Sequence, residues 1–268
     1  MSDSPLVSRF RNGFPSGYTA ITTEGEETLD VGLDFGIHVV DEGETIRARD
    51  PKEAAWVLLQ GDAQIELAGE RVLVHRASLF DDRATTLHAG PDTSVTIAAK
   101  SRTEWAVVRV SNRRAFAPRV FRPEECEREH RGAGLVQGAC EREVRLVFDR
   151  ASRPRSSLVV GEVINYPGRW SSYPPHRHEQ PEIYHYRFTR SEGWGHAELG
   201  DLVFKVHAND TIKILNGDDH AQVSAPGYGM YYLWIVRHLP GAPYTGFTFD
   251  PRHEWVLEPG EQGWEPER

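Results

Sequence analysis

The segment Pro174-Pro175-His176-Arg177-His178-Glu179-Gln180-Pro181-Glu182 carries two histidines one residue apart and a carboxylate four residues after the second. Side chains alternate faces along an extended strand, so His176 and His178 point the same way if this segment is a strand. A short turn at Glu179–Pro181 lets Glu182 open the next strand and return to that side of the sheet. Two imidazoles and a carboxylate at the mouth of a β-barrel are the beginning of a divalent metal site.

A fourth donor has to come from elsewhere in the chain. Asn216-Gly217-Asp218-Asp219-His220 follows the strand-like run Thr211–Leu215 and offers His220, with the Asp218 and Asp219 carboxylates as candidates to orient it. Alternation from Glu182 puts Tyr184 and Tyr186 on the metal side and Ile183, His185 and Arg187 opposite. Tyr184 and Tyr186 are therefore candidate proton donors or shuttles, and equally candidate barrel core. Glu179 is a candidate base if its loop folds over the mouth, and otherwise a solvated loop residue. Lys213, Arg169 and Tyr232 are candidates to bind a substrate. The other histidines, His38, His75, His88, His130, His185, His196, His207, His238 and His253, have no ligand spacing, so the first half of the chain is expected to lack a metal.

Further out, short apolar runs are bounded by Gly, Asp, Asn or Pro, and long amphipathic helical patterns are scarce. In the first half, Ala54–Leu59, Ala63–Leu67 and Arg71–Val74 read as strands separated by turns at Gln60-Gly61-Asp62 and Ala68-Gly69-Glu70. Ser94–Ala99 and Trp105–Ser111 follow. The second half repeats the style at Val144–Phe148, Ser157–Val163, Glu182–Phe188, Asp201–Val206, Thr211–Leu215 and Gly229–Arg237. This density of strands and turns suggests an all-β barrel or sandwich, and the similar style of the two halves suggests a duplicated β-barrel unit, with residues 1–118 and 141–268 as the barrels and 119–140 as a linker. The charged run 121–130 reads as a solvated helical face at best. The glycines near 132–138 do not fit a dinucleotide-binding fingerprint.

Composition narrows the functional classes. The 268 residues include 31 Lys and Arg against 40 Asp and Glu, a formal charge of −9. Phosphate binding needs a basic face, so a nucleic-acid partner is not expected. Two cysteines, Cys126 and Cys140, make no disulfide framework and no zinc-binding pair. The start of the chain has no basic-then-apolar signal pattern and no apolar stretch reaches 18 residues, so a cytoplasmic protein with no membrane partner is expected.

The histidine segment resembles the cupin superfamily: His176-x-His178-x3-Glu182 keeps the spacing of its first motif, and Gly217-x2-His220 that of its second. A closer resemblance rests on Val160-Gly161-Glu162-Val163, on Pro167-Gly168-Arg169-Trp170-Ser171-Ser172-Tyr173-Pro174-Pro175-His176-Arg177-His178, on Glu182-Ile183-Tyr184 and on Ala225-Pro226-Gly227-Tyr228. These strings, with the tail Phe249-Asp250-Pro251-Arg252-His253-Glu254-Trp255, look like the 5-deoxy-glucuronate isomerase family of myo-inositol breakdown, itself related to the 4-deoxy-5-hexulose-uronate isomerases.

The resemblance implies a bicupin, both barrels jelly rolls, with one divalent ion, zinc or manganese, in the second barrel, and a homo-oligomer acting on a small uronate. The implied reaction is the aldose–ketose isomerisation of 5-deoxy-glucuronate to 5-deoxy-2-keto-gluconate (5-dehydro-2-deoxy-gluconate). With that substrate implied, Lys213, Arg169 and Tyr232 become candidates for its carboxylate, and the family string favours Arg169. Three alternatives stay open: an isomerase of another deoxy-uronate, a metal-dependent dioxygenase on the same donor set, and a sugar-binding cupin without turnover.

Overall fold

The computed structural model describes residues 4–215, 217–258 and 260–267. It contains strands joined by turns, with three short 3-10 turns as its only helical elements among the described residues. Among the described residues all strand pairs are antiparallel.

The strands form four layers. In the first half, one layer follows the order Arg119–Phe121, Thr86–Ala89, Glu53–Leu67, Thr103–Val110, Asp34–Val40, Gly17–Thr22. The far end of Glu53–Leu67 leaves that layer and pairs with Glu70–Arg76 and Ser94–Ala99, which with Thr45–Arg49 make a second layer. The two segments expected as separate strands, Ala54–Leu59 and Ala63–Leu67, are thus one 15-residue strand. The turn expected at Gln60-Gly61-Asp62 is instead a bulge, with a register shift between Leu58 and Gln60. A bulge bends a strand without ending it, which carries this one from one sheet into the other. The turn expected at Ala68-Gly69-Glu70 is present: Leu67 pairs with Glu70 across it.

The second barrel's seven-stranded sheet runs Val7–Arg9, Asp210–Ile214, Glu182–Phe188, Met230–Arg237, Leu158–Asn165, Arg142–Phe148, Glu127–Arg131. Val7–Arg9, expected in the first barrel, is thus an edge strand of the second, and the expected linker 119–140 supplies an edge strand to each barrel, because sheet edges take up whichever strand lies beside them. A five-stranded sheet runs Leu202–His207, Trp194–Leu199, His220–Ser224, Trp170–Arg177, Thr248–Phe249. The stretch 121–130, expected to be helical, is strand, one 3-10 turn at Pro123–Glu125, and strand again. Its alternating charges suit an edge strand, where exposed Arg and Glu discourage further pairing.

Three apolar clusters glue the layers. One fills the first barrel around Trp56, Leu58, Ile65, Ile97 and Trp105. A second fills the other barrel around Tyr184, Tyr186, Leu199, Ile212 and Tyr232. The third lies between the barrels, where Phe35, Ile37, Val57 and Val108 meet Leu158, Ile183, Leu233 and Ile235. The two inner sheets are therefore covered on both faces. That is why Leu158–Asn165 is buried at all eight positions, whereas the outer strand Trp194–Leu199 alternates. Burying each such Leu, Ile or Phe contributes roughly 1.5–3 kcal/mol, so the shared cluster holds the barrels firmly together. Two stacked barrels in one chain are the bicupin architecture that the resemblance implied.

No helix among the described residues is long and apolar enough to cross a membrane.

Candidate metal centre

His176 and His220 are 44 positions apart in sequence, yet they are direct cross-strand partners in the five-stranded sheet. Their ring centroids lie 4.4 Å apart. The strand that brings His176 there, Trp170–Arg177, is irregular. Ser171 pairs with Gln222 and His176 with His220, so five steps on one strand oppose two on the other. The Ser-Tyr-Pro-Pro portion of the string bulges out at this point, with a cis peptide bond between Tyr173 and Pro174.

His178 follows the end of that strand, and Glu182 opens the first position of Glu182–Phe188 in the facing sheet. Nε2 of His178 is 3.2 Å from Oε2 of Glu182, and Nε2 of His220 is 3.6 Å from the same oxygen. One donor atom from each of these three residues lies within 4.8 Å of the others. His176 stands beside this trio rather than within that distance of all of it, and lines the same cavity.

The electronic state of the trio suits a cation. Nδ1 of His220 donates to the backbone carbonyl of Asp218 at 3.1 Å, which leaves Nε2 with its lone pair, buried and without a hydrogen-bond partner. A histidine fixed in this way by a carbonyl behind it is the usual arrangement of a metal ligand. Burial holds His220 and, more strongly, His176 below the ordinary histidine range, so both are neutral and able to ligate. Burial would lower His178 as well, but the Glu182 carboxylate more than offsets it and raises that imidazole. The donor set fits a metal ion.

The orienting partner differs from expectation. The Asp218 backbone, not either carboxylate, fixes His220, while the Asp219 carboxylate pairs with Arg177 at 3.0 Å. Gly217 has φ +68°, a conformation costly for residues with a Cβ, and it starts the turn that delivers His220. Asn216 of that turn lies outside the described residues.

The centre sits at the wall of a cavity of about 200 Å³. Tyr184 and Tyr232 line it with stacked rings 4.6 Å apart, and Trp234 presents an indole N–H that has no partner among the described residues. Trp234 has room because its cross-strand partner is Gly161, where a Cβ would meet the indole at 2.3 Å. Burial pushes the Tyr184 phenol well above its ordinary value, so it keeps its proton. The tail closes the other side: Phe249 pairs with His176, and the Phe247 ring is 4.2 Å from the His176 ring.

Of the remaining candidates, Tyr232 reaches the cavity and four residues, Tyr186, Glu179, Lys213 and Arg169, do not. Tyr186 lies deeper in the barrel, its hydroxyl donating to Gln222 at 2.6 Å. Glu179 is exposed in the turn and does not line the cavity. Lys213 is paired in register with Ile183, so it points to the face opposite Glu182 and Tyr184. Its Nζ meets Glu26 at 2.6 Å and the Leu29 carbonyl at 3.2 Å, tying the barrels together. Arg169 precedes the bulge and lies off the cavity, where its carbonyl accepts from Asn165 and Ser224. The cavity's actual cations, Arg131 and Arg142, were missed because the first lies in the presumed linker and the second has no motif around it. Alternation along the strand Arg142-Glu143-Val144-Arg145-Leu146 was the available signal: Arg142, Val144 and Leu146 share the cavity face.

Known proteins similar to this chain point the same way. The model of the KduI/IolB family matches residues 7–256. A 5-deoxy-glucuronate isomerase of Geobacillus thermodenitrificans is 31% identical over 245 residues, covering 84% of this chain and 86% of the relative. The Bacillus subtilis 5-deoxy-glucuronate isomerase is 26% identical over 200 residues, covering 68% and 71%. Among solved structures, an IolB-like protein from Salmonella typhimurium LT2 superposes with a TM-score of 0.84 at 24% identity, over 95% of this chain and all (100%) of that one. A point mutant of Bacillus subtilis oxalate decarboxylase reaches 0.67 at 13% identity, over 93% and 80%, a likeness of fold. With a family match spanning nearly the whole sequence and a histidine–glutamate centre in its second barrel, the chain belongs to the KduI/IolB family.

Proposed function

We propose that this chain is a metal-dependent aldose–ketose isomerase that converts 5-deoxy-glucuronate to 5-dehydro-2-deoxy-gluconate, with His176, His178, Glu182 and His220 as the ligands. The carrying observation is the convergence of His178, Glu182 and His220 at the wall of a small cavity, with the His220 Nε2 lone pair buried and unused. The cavity is below the roughly 300–1,000 Å³ of drug-sized sites, which suits one six-carbon acid. Zinc or manganese matches a donor set of imidazoles and one carboxylate.

Moving a carbonyl from C1 to C2 removes a proton beside a carbonyl and returns one to the neighbouring carbon. A metal held by His176, His178, Glu182 and His220 would supply Lewis-acid stabilisation of the negative charge that develops. The protein's own groups do the rest. Tyr184 keeps its proton on Oη and donates a hydrogen bond to a substrate oxygen, and Trp234 Nε1–H donates another. Tyr232 is held by its bond to Ser171 at 2.9 Å and stacks on Tyr184, fixing that ring's position. Phe247 and Phe249 keep water off the reacting carbons. Exposed Leu202 and Val203, at the edge of the five-stranded sheet, supply an apolar surface for self-association.

The test is metal analysis of the purified protein together with turnover of 5-deoxy-glucuronate, followed as loss of aldehyde and gain of ketone. His178→Ala is expected to lose both bound metal and turnover. A metal-free His178→Ala protein with full activity would refute the reading, as would a fully metal-loaded wild-type protein that leaves the sugar acid unchanged.

A further inference from the structure

Arg131 and Arg142 stand directly opposite each other on neighbouring antiparallel strands, and both line the cavity that holds the histidine cluster. Like charges in this position repel, and a structure keeps such a pair only when something else compensates. Arg142 is largely withdrawn from water, yet among the described residues it makes no ion pair. Its Nη1 donates to the Cys140 carbonyl at 2.8 Å, the one side-chain hydrogen bond it makes among the described residues, so most of its five N–H donors have no protein partner there. Burial accordingly lowers its pKa, and no carboxylate restores it fully. Arg131 is more exposed and is met by Glu129 at 2.6 Å. The other acid on the cavity wall, Asp149, is taken up by the N–H and hydroxyl of Ser152, both at 2.9 Å. His176 and His178 line the same cavity as Arg142. Guanidinium and histidines thus face the same small volume.

Resting on the isomerase reading above, we infer that Arg142, with Arg131 behind it, is the anchor for the substrate carboxylate, and so sets the enzyme's selectivity for uronates over neutral aldoses. A buried cation without a counter-charge is unfavourable until an anion arrives. A carboxylate fits the guanidinium fork with two parallel bonds. Held by C6 at this end, a six-carbon acid lies along the cavity and presents C1 and C2 to the histidine cluster. A neutral sugar of the same length has no hold on Arg142, so it is neither bound tightly nor aligned.

The test compares 5-deoxy-glucuronate with its methyl ester, which keeps the reacting end and lacks the charge. In Arg142→Met, kcat/KM for the acid is expected to fall about 100-fold, mostly through KM, with bound metal unchanged and the ester affected less than about threefold. Arg142→Lys keeps a charge without the fork and is expected to fall between. Arg131→Met, at a more exposed position that tolerates change, is expected to raise KM for the acid by a smaller factor. Equal losses for acid and ester, or an unchanged KM for the acid in Arg142→Met, would overturn the assignment.

Should the metal-loaded wild-type protein turn over neither compound, the isomerase reading fails by itself. Calorimetric titration with 5-deoxy-glucuronate then decides the anchor. Binding by wild type that is lost in Arg142→Met supports it. Equal binding by both proteins, or binding by neither, overturns it.

Discussion

Gly161 shows how one missing side chain shapes the centre. It faces Trp234 across adjacent strands, and the indole lies where a Cβ would be. The six-membered ring and Nε1 of the indole stand 2.3 to 2.7 Å from that position, far inside contact distance. Gly161→Ala is therefore expected to displace Trp234 into the cavity. The predicted cost is about 1–3 kcal/mol of stability, read by denaturant unfolding, with a rise in KM for the sugar acid and unchanged metal content. Wild-type stability and KM in this variant would show that the close approach has no consequence. At the same scale, His220 needs only one backbone carbonyl to present its free nitrogen, which explains why neither neighbouring carboxylate is required.

Among elements, the irregular strand Trp170–Arg177 and the tail strand Thr248–Phe249 act as a unit. The bulge takes four positions, 172–175, out of the ladder and lets His176 meet His220, while the tail lies along the outer edge of His176 and Arg177. Asp250 locks the tail: its N–H donates to the Pro175 carbonyl at 2.8 Å, and its carboxylate, drawn down to about 2 by Arg252, stays ionised. Phe247→Ala should open this side of the cavity. The expected result is a 3- to 10-fold fall in kcat/KM with bound metal retained, measured by steady-state kinetics alongside metal analysis. Loss of metal instead would mean that the ring supports His176 rather than the substrate. The contrast between continuous and alternating apolar runs also belongs to this scale. Ala54–Leu59 and Gly229–Arg237 are continuous because both faces are covered, whereas Ala63–Leu67 alternates because it belongs to an outer layer.

Over the whole molecule, buried charge joins the barrels alongside apolar contact. Arg76 of the first half makes a two-pronged pair with Glu162 of the second at 2.7 and 3.0 Å, both fully buried, and Tyr231 donates to the same carboxylate. Glu162→Gln leaves the guanidinium without its charge partner and is expected to cost about 3–5 kcal/mol in equilibrium unfolding. A change under about 1 kcal/mol would show that the pair is dispensable. A second buried group crosses the same boundary: Glu53 accepts from His88, from the Ser157 N–H at 2.8 Å and from Asn112 at 2.6 Å. Burial would raise Glu53, but these bonds, with that from Ser156, outweigh it and hold the carboxylate below 4.5. Burial also keeps His88 below 6.5, Glu53 opposing this only in part. The unfolded chain therefore takes up protons first. The His88 contribution weakens as pH falls below 6.5, and that of Glu53 is intact above 4.5 and lost as pH falls through its lower folded value. The thermal midpoint should accordingly drop between pH 7 and pH 4, and Glu53→Gln should flatten the lower part of that drop. An identical pH profile in the variant would remove Glu53 from the account.

The amino-acid sequence by itself determined what depends on near neighbours. Strand alternation placed Glu182 and Tyr184 on one face, the His-x-His spacing put two imidazoles side by side, and apolar runs broken by turns gave two barrels. The tertiary structure alone decided what depends on register between distant strands. It set His176 against His220, turned Lys213 toward Glu26 on the far face, and gathered Arg131 and Arg142 onto the cavity wall. The physical reason is one of range: backbone geometry repeats every two residues along a strand, but which strands share a cavity is settled by packing across the whole sandwich.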